Sequence, residues 1–223
     1  MDKKLFVQAI IKYFSGLVIV MCLIFIPAGT LRYTGGLIFT GLLFVPMFVV
    51  GLILMFKNPE LLRKRLNAKE DESDQKTVIL ISGIMFAAGF VIAGFNYRFG
   101  WITLPTWVTV VGAVLFLLSY AMYGEVLREN VYLSRTVEIQ EDQKVIDTGL
   151  YGIVRHPMYS ATIVLFLSIP LILGSIISLV IFLIYPILIA KRISNEEEVL
   201  EKGLSGYTEY KKKVKYKIIP FIY

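Results

Sequence analysis

The sequence predicts an all-α protein, a polytopic helical bundle integral to a membrane with about five to six membrane segments. Three observations predict it. Apolar residues make up 57% of the 223 positions and charged residues 18%, and mean hydropathy is +0.70; soluble domains are nearer 45–50% apolar and ~25% charged. Several uninterrupted apolar stretches reach the ~20 residues that a helix needs to cross the hydrocarbon. Lysine and arginine gather in alternate connections between those stretches, as they do when every second loop faces the cytoplasm.

Taken in order, LFVQAIIKYFSGLVIVMCLIFIPA covers 5–28 and GGLIFTGLLFVPMFVVGLILMF covers 35–56. TVILISGIMFAAGFVIAGF covers 77–95, and TWVTVVGAVLFLLSYAMYG covers 106–124. Lys3 and Lys4 precede the first span as in a signal peptide. Its apolar core is longer than an h-region and no A-x-A site follows, so it is expected to be an uncleaved anchor. A fifth apolar region, 158–190, is too long for one helix and is interrupted at Gly174 and Ser175. Two shorter helices joined by a tight turn are expected there, either as two crossings or as a re-entrant hairpin. Alternating apolar residues around EDQK in 136–146 suggest a short surface hairpin.

The 57–76 loop carries Lys57, Arg63, Lys64, Arg65, Lys69 and Lys76, whereas 29–34 and 96–105 carry only Arg32 and Arg98. Six crossings with both termini in the cytoplasm satisfy this bias. The 125–157 segment and the 191–223 tail then emerge on one face, facing the cytosol. The 57–76 loop itself reads as a solvated connector with one amphipathic turn. A net charge of +6 is expected to reflect contact with anionic lipid rather than nucleic acid. Cys22 is the only cysteine, which excludes an internal disulfide and a cysteine metal cluster; no metal site is expected. There is no internal repeat and no separate soluble domain, so residues 1–223 read as one integral membrane domain.

The stretch DTGLYGIVRHPMYSA, 147–161, holds the only histidine, His156. Pro157 suits the first turn of a helix, where a missing N–H costs nothing. The apolar helix after it would turn its positive end toward the surface beside Arg155 and His156, an arrangement suited to an anion. Arg155 reads equally as an anchor at the edge of an apolar segment. Beyond residue 190 the chain reads as a charged helix, in which Arg192 and Glu196 stand four apart on one face. The Lys211 to Lys217 cluster reads most simply as a lipid-headgroup contact.

The run GLYGIVRHPMY, followed by a helical hairpin, R-x-x-x-E-E, Y-x-x-Y and a closing V-x-x-x-x-x-P, resembles the isoprenylcysteine carboxyl methyltransferase family of integral-membrane enzymes. The resemblance covers roughly 106–220, which it implies is the methyltransferase core; 5–105 would be N-terminal transmembrane helices that carry no family motif. It implies an S-adenosylmethionine-dependent methyltransferase that yields S-adenosylhomocysteine, with a site formed by the cytoplasmic connector and the C-terminal helix. Carried over by residue, Gln143, Lys144, Val145 and Ile146 would line the cofactor, and Tyr151, His156, Pro157, Met158 and Tyr159 match its binding motif. Glu196 matches the carboxylate that reaches the cofactor, and Arg192 the arginine that faces the methyl acceptor; both are expected to be catalytic. The spacing from Leu200 to Tyr207 is one residue shorter than the family pattern, which leaves the register of Tyr207 and Tyr210 open. Lys217 stands where many relatives carry arginine.

The implied acceptor is lipid-like or prenylated and enters from the bilayer. A carboxylate with pKa ~3.5–4 is already ionised and needs neither base nor metal, and the chain has no spare histidine, so carboxyl O-methylation is expected. Methylation of a thiol or phospholipid amine, and an NADPH-dependent sterol or lipid reductase on a related scaffold, remain open, as does a non-catalytic membrane protein whose tail binds lipid. The identity of the acceptor and the oligomeric state are not legible.

Overall fold

The computed structural model describes residues 3–66, 73–133 and 139–223; among them the chain is helical and contains no strand. The long apolar helices are α1 (Lys3–Ala28) and α2 (Thr34–Lys57), followed by a short α3 (Pro59–Leu66), then α4 (Ser73–Phe99) and α5 (Thr106–Glu129). Each predicted span is present and overruns its apolar core by a few residues. At the end of α5 the overrun has a local cause. GEVLRE is made mostly of good helix formers, and Arg128 reaches back to Glu125 at 2.7 Å.

The amphipathic turn expected after residue 57 is α3. Asn58 caps it by accepting the Leu61 N–H at 3.1 Å, with Pro59 at the first helical position. Leu62 is buried against Leu5 and Met55, so the start of α1, the end of α2 and α3 share one end of the bundle. Lys69 lies outside the described residues, as do 134–138 in the expected hairpin. Residues 139–146 form a turn and no strand: Gln143 N–H bonds the Gln140 carbonyl at 3.1 Å and Asp142 takes φ +56°, a conformation that aspartate tolerates.

Phe39, Phe90, Phe116 and Phe182 meet in the middle of the bundle. Lipid tails are as apolar as leucine, so helices associate in a membrane by close packing rather than by hydrophobic drive. Two glycines permit that packing. A Cβ on Gly94 of α4 would come to 2.5 Å from the Ile24 carbonyl of α1, and one on Gly112 of α5 to 2.8 Å from the backbone nitrogen of Ile172.

The region expected as two helices is three: α6 (Pro157–Ile172), α7 (Ile176–Phe182) and α8 (Ile184–Gly203). The tight turn lies where expected, with Gly174 at φ +63° and Ser175 capping α7 through the Ser178 N–H at 3.2 Å. The second break, at Leu183, was not foreseen. Pro186 has no N–H for the carbonyl of Phe182, and its ring crowds that position. Among the described residues, five helical stretches are long and apolar enough to cross a membrane: α1, α2, residues 76–99 of α4, α5, and α7 with α8 together. α6 is a shorter apolar helix of 16 residues, ~24 Å long. These helices make the chain an integral membrane protein. A last short helix, α9 (Tyr207–Lys213), follows α8 through Gly206 at φ +84°.

Candidate functional site

The site forms where α5 ends, α6 begins and α8 leaves the bundle. Along α8 the residues Arg192, Glu196, Val199 and Leu200 recur at helical spacing on one face and line a cleft. The connector closes another wall and is held by its own polar groups. Asn130 donates to the Tyr151 hydroxyl at 2.9 Å, Gln140 to the Tyr132 carbonyl at 2.6 Å, and the Gln143 side-chain oxygen accepts the Gln140 N–H at 2.9 Å. A 3-10 turn, Gly149–Gly152, then delivers the chain to α6. Gly149 has φ +53°, and a Cβ there would come to 2.9 Å from the carboxyl carbon of Glu129.

Gln143, Lys144, Val145, Ile146, Tyr151, His156, Met158, Tyr159, Arg192 and Glu196 all line this cleft. Pro157 is buried at the first position of α6. Tyr207 and Tyr210, whose register was open, both line it from α9. Sequence reasoning assigned no place to Asn130, Tyr132, Leu133, Val199, Leu200 or Leu204, which complete the walls. Val199 and Leu200 follow from helical periodicity once α8 is continued to Gly203; the connector residues and Leu204 carry no signal of their own.

The α6 N-terminus is not an open anion seat, and the reason is local. Arg155 is buried, with Nε donating to Glu197 at 2.7 Å and Nη1 to the carbonyls of Val214 and Lys215, each at 2.8 Å. His156 Nε2 lies 3.1 Å from the same Glu197 oxygen. The backbone N–H groups of Arg155 and His156 are given to the carbonyls of Tyr216 and Lys217, and Ser160 donates to the Ile218 carbonyl at 2.7 Å. Residues 214–218 thus lie as a strap across the start of α6. Glu197, the second carboxylate of the R-x-x-x-E-E run, was not singled out. It supplies the counter-charge to the buried Arg155 guanidinium, without which that burial would be very costly, and a hydrogen-bond partner to His156.

The lysines expected at lipid headgroups also have protein partners. Lys211 pairs with Glu201 and lies 3.8 Å from Glu197. Lys213 pairs with Asp147 at 2.7 Å, which holds that carboxyl below its usual range, and Lys217 lies 3.8 Å from Glu197.

The other polar group faces the cleft. The Tyr159 hydroxyl donates to Glu196 at 2.6 Å and accepts from Arg192 Nε at 2.9 Å, so the expected i,i+4 pair is bridged by a tyrosine. Behind it, a second cavity of about 370 Å³ is lined by Val78, Ile79, Phe86, Phe166, Tyr185 and Ile189, among others. Met158, Tyr159 and Arg192 line both spaces. Among the described residues no group of three or more His, Cys, Asp or Glu side chains is placed to hold a metal.

An S-adenosyl group fits the donor set. Val145, Leu200 and Leu204 offer an apolar wall for a base, Glu196 offers a carboxylate for a cation, and the buried Tyr207 hydroxyl lacks a partner among the described residues. The cleft measures about 100 Å³ and is partly open, so such a group would extend through its mouth. Comparison with curated proteins gives no match. Residues 102–202 match the profile of the "Isoprenylcysteine carboxyl methyltransferase (ICMT) family". The connector, the start of α6 and the Arg192–Glu196 face therefore all lie within the segment that is similar to this family, in a chain that is an integral membrane protein.

Proposed function

We propose that the protein transfers a methyl group from S-adenosylmethionine to the carboxylate of a lipid-like or prenylated acceptor at the cytoplasmic membrane face. The observation that supports this best is the shared boundary. A polar cleft suited to a nucleoside and an apolar cavity suited to a lipid chain meet at Met158, Tyr159 and Arg192. The cavity is at the small end of the ~300–1,000 Å³ typical of small-molecule sites, and it adjoins α4 and α5, from which a bilayer-borne acceptor would enter.

When bound, the cofactor supplies a methyl group on a sulfonium, open to direct displacement by an anion. The residues then have to position and desolvate. Gln143, Lys144, Val145, Ile146, Tyr151, Met158 and Tyr159 hold the nucleoside side, with His156 and Pro157 fixing the turn into α6. Glu196 pairs with a cationic centre of the cofactor. Arg192, steadied by Tyr159, holds the acceptor carboxylate by a charge-assisted contact. No residue has to remove a proton, because the acceptor is ionised at neutral pH. Correct alignment in a water-poor site can supply roughly 7–11 kcal/mol of the rate enhancement.

In this reading 106–223 is the methyltransferase core, and 1–105 completes a single membrane domain. The lysine-rich ends face the cytoplasm. Transfer of radiolabel from methyl-labelled S-adenosylmethionine into a lipid extract, released by mild base as a methyl ester would be, is the expected result. Base-stable label would point instead to a thioether or amine product. Absence of label together with absence of cofactor binding would remove the reading.

A further inference from the structure

We infer that the Tyr207 hydroxyl binds the zwitterionic amino-acid end of an S-adenosyl ligand, an assignment that rests on the methyltransferase reading above. The two tyrosines of α9 make the case by contrast. Tyr210 is buried and its hydroxyl donates to the Tyr151 carbonyl at 2.7 Å. Tyr207 is only 4% exposed, yet its hydroxyl has no hydrogen-bond partner among the described residues. A buried hydroxyl left unpaired destabilises the protein that carries it, and native structures contain few such groups without a functional reason.

Its surroundings point to the ligand. Tyr207 belongs to the apolar cluster of Leu204, Tyr210 and Val214, against which Val145 and Leu200 pack, on the side of the cleft suited to a base. The hydroxyl lies within the electrostatic reach of Glu197, Glu196 and Arg155. Burial first, and then those carboxylates, push its pKa well above the ordinary value, so the group stays protonated and can both donate and accept. Glu197 is already engaged by Arg155 and His156, which leaves Glu196 to balance an incoming ammonium. An amino-acid end carries one group that donates and one that accepts, and a hydroxyl serves either.

The test is calorimetric titration of detergent-purified protein with S-adenosylhomocysteine and with 5′-methylthioadenosine, which keeps the nucleoside and thioether but lacks the amino-acid end. Tyr207→Phe is expected to weaken S-adenosylhomocysteine about tenfold and to leave 5′-methylthioadenosine within about twofold. Thermal unfolding of ligand-free protein should show Tyr207→Phe as stable as the parent or more so, and Tyr210→Phe less stable. Equal weakening of both ligands, or of neither, overturns the assignment, as does a ligand-free Tyr207→Phe that loses as much stability as Tyr210→Phe. If the unaltered protein binds neither ligand, the methyltransferase reading itself fails, a result distinct from the others.

Discussion

Glu196 and Glu197 are neighbours on α8 and have opposite surroundings. Glu197 is 5% exposed and serves Arg155 and His156. Glu196 is half-buried, touches the Tyr159 hydroxyl and lines the cleft. A helix turns about 100° per residue, so adjacent positions look into different spaces: one into the packing of α6 and the strap, the other into the cleft. Two acidic residues side by side therefore split into a carboxylate that holds the fold and one that remains available to a ligand.

The largest expected effect breaks the inner cluster. Glu197→Ala leaves the Arg155 guanidinium buried without its counter-charge and His156 without a hydrogen-bond partner, and about 3–5 kcal/mol of stability should be lost, read as a large fall in Tm in detergent. Glu196→Ala should cost less than ~1 kcal/mol of stability while weakening S-adenosylhomocysteine in a titration. If the two substitutions destabilise equally, the division between them is wrong. Next comes Arg192→Ala, which should lower methyl transfer roughly a hundredfold through loss of acceptor alignment, with cofactor affinity unchanged in the same preparation.

Tyr159→Phe is a milder probe of the outer group. It removes the bridging hydroxyl, about 1 kcal/mol of hydrogen bonding, and lets Arg192 approach Glu196 directly. Transfer should fall further than Tm does, measured side by side. The smallest effect concerns Asp147 and Lys213, which join the connector to α9 at the surface. Because Lys213 lowers the Asp147 pKa, their contribution is complete above the ordinary carboxylate value of ~3.9. It disappears as pH falls through the lower folded value. The Tm difference between the parent and Lys213→Ala should therefore shrink in acid, and a difference that grows there would reverse the sign.

The apolar helices were legible because their length and composition leave no other solvent. The two breaks within 158–203 were legible only in part. Gly174 and Ser175 punctuate visibly, whereas Pro186 acts four residues upstream on a carbonyl. Within the site, the motif positions on the connector and α8 converge on one cleft, since each wall is a short contiguous run. Arg155 and Glu197 were misread or passed over because their partners are each other, 42 residues apart. A pairing between remote segments has no local pattern. The same holds for Tyr207: its position depends on the turn at Gly206, and that its hydroxyl has no partner among the described residues is visible only in three dimensions.

The strap over α6 also sets an order of construction. Arg155 and His156 reach the bilayer surface long before residues 214–218 are synthesised, yet the carbonyls that receive them belong to those residues. A nascent chain can insert its helices as they emerge, but the start of α6 stays unclamped until residues 214–218 fold back over it. A chain cut short after α9 would leave the first turn of α6 without the carbonyls that receive it.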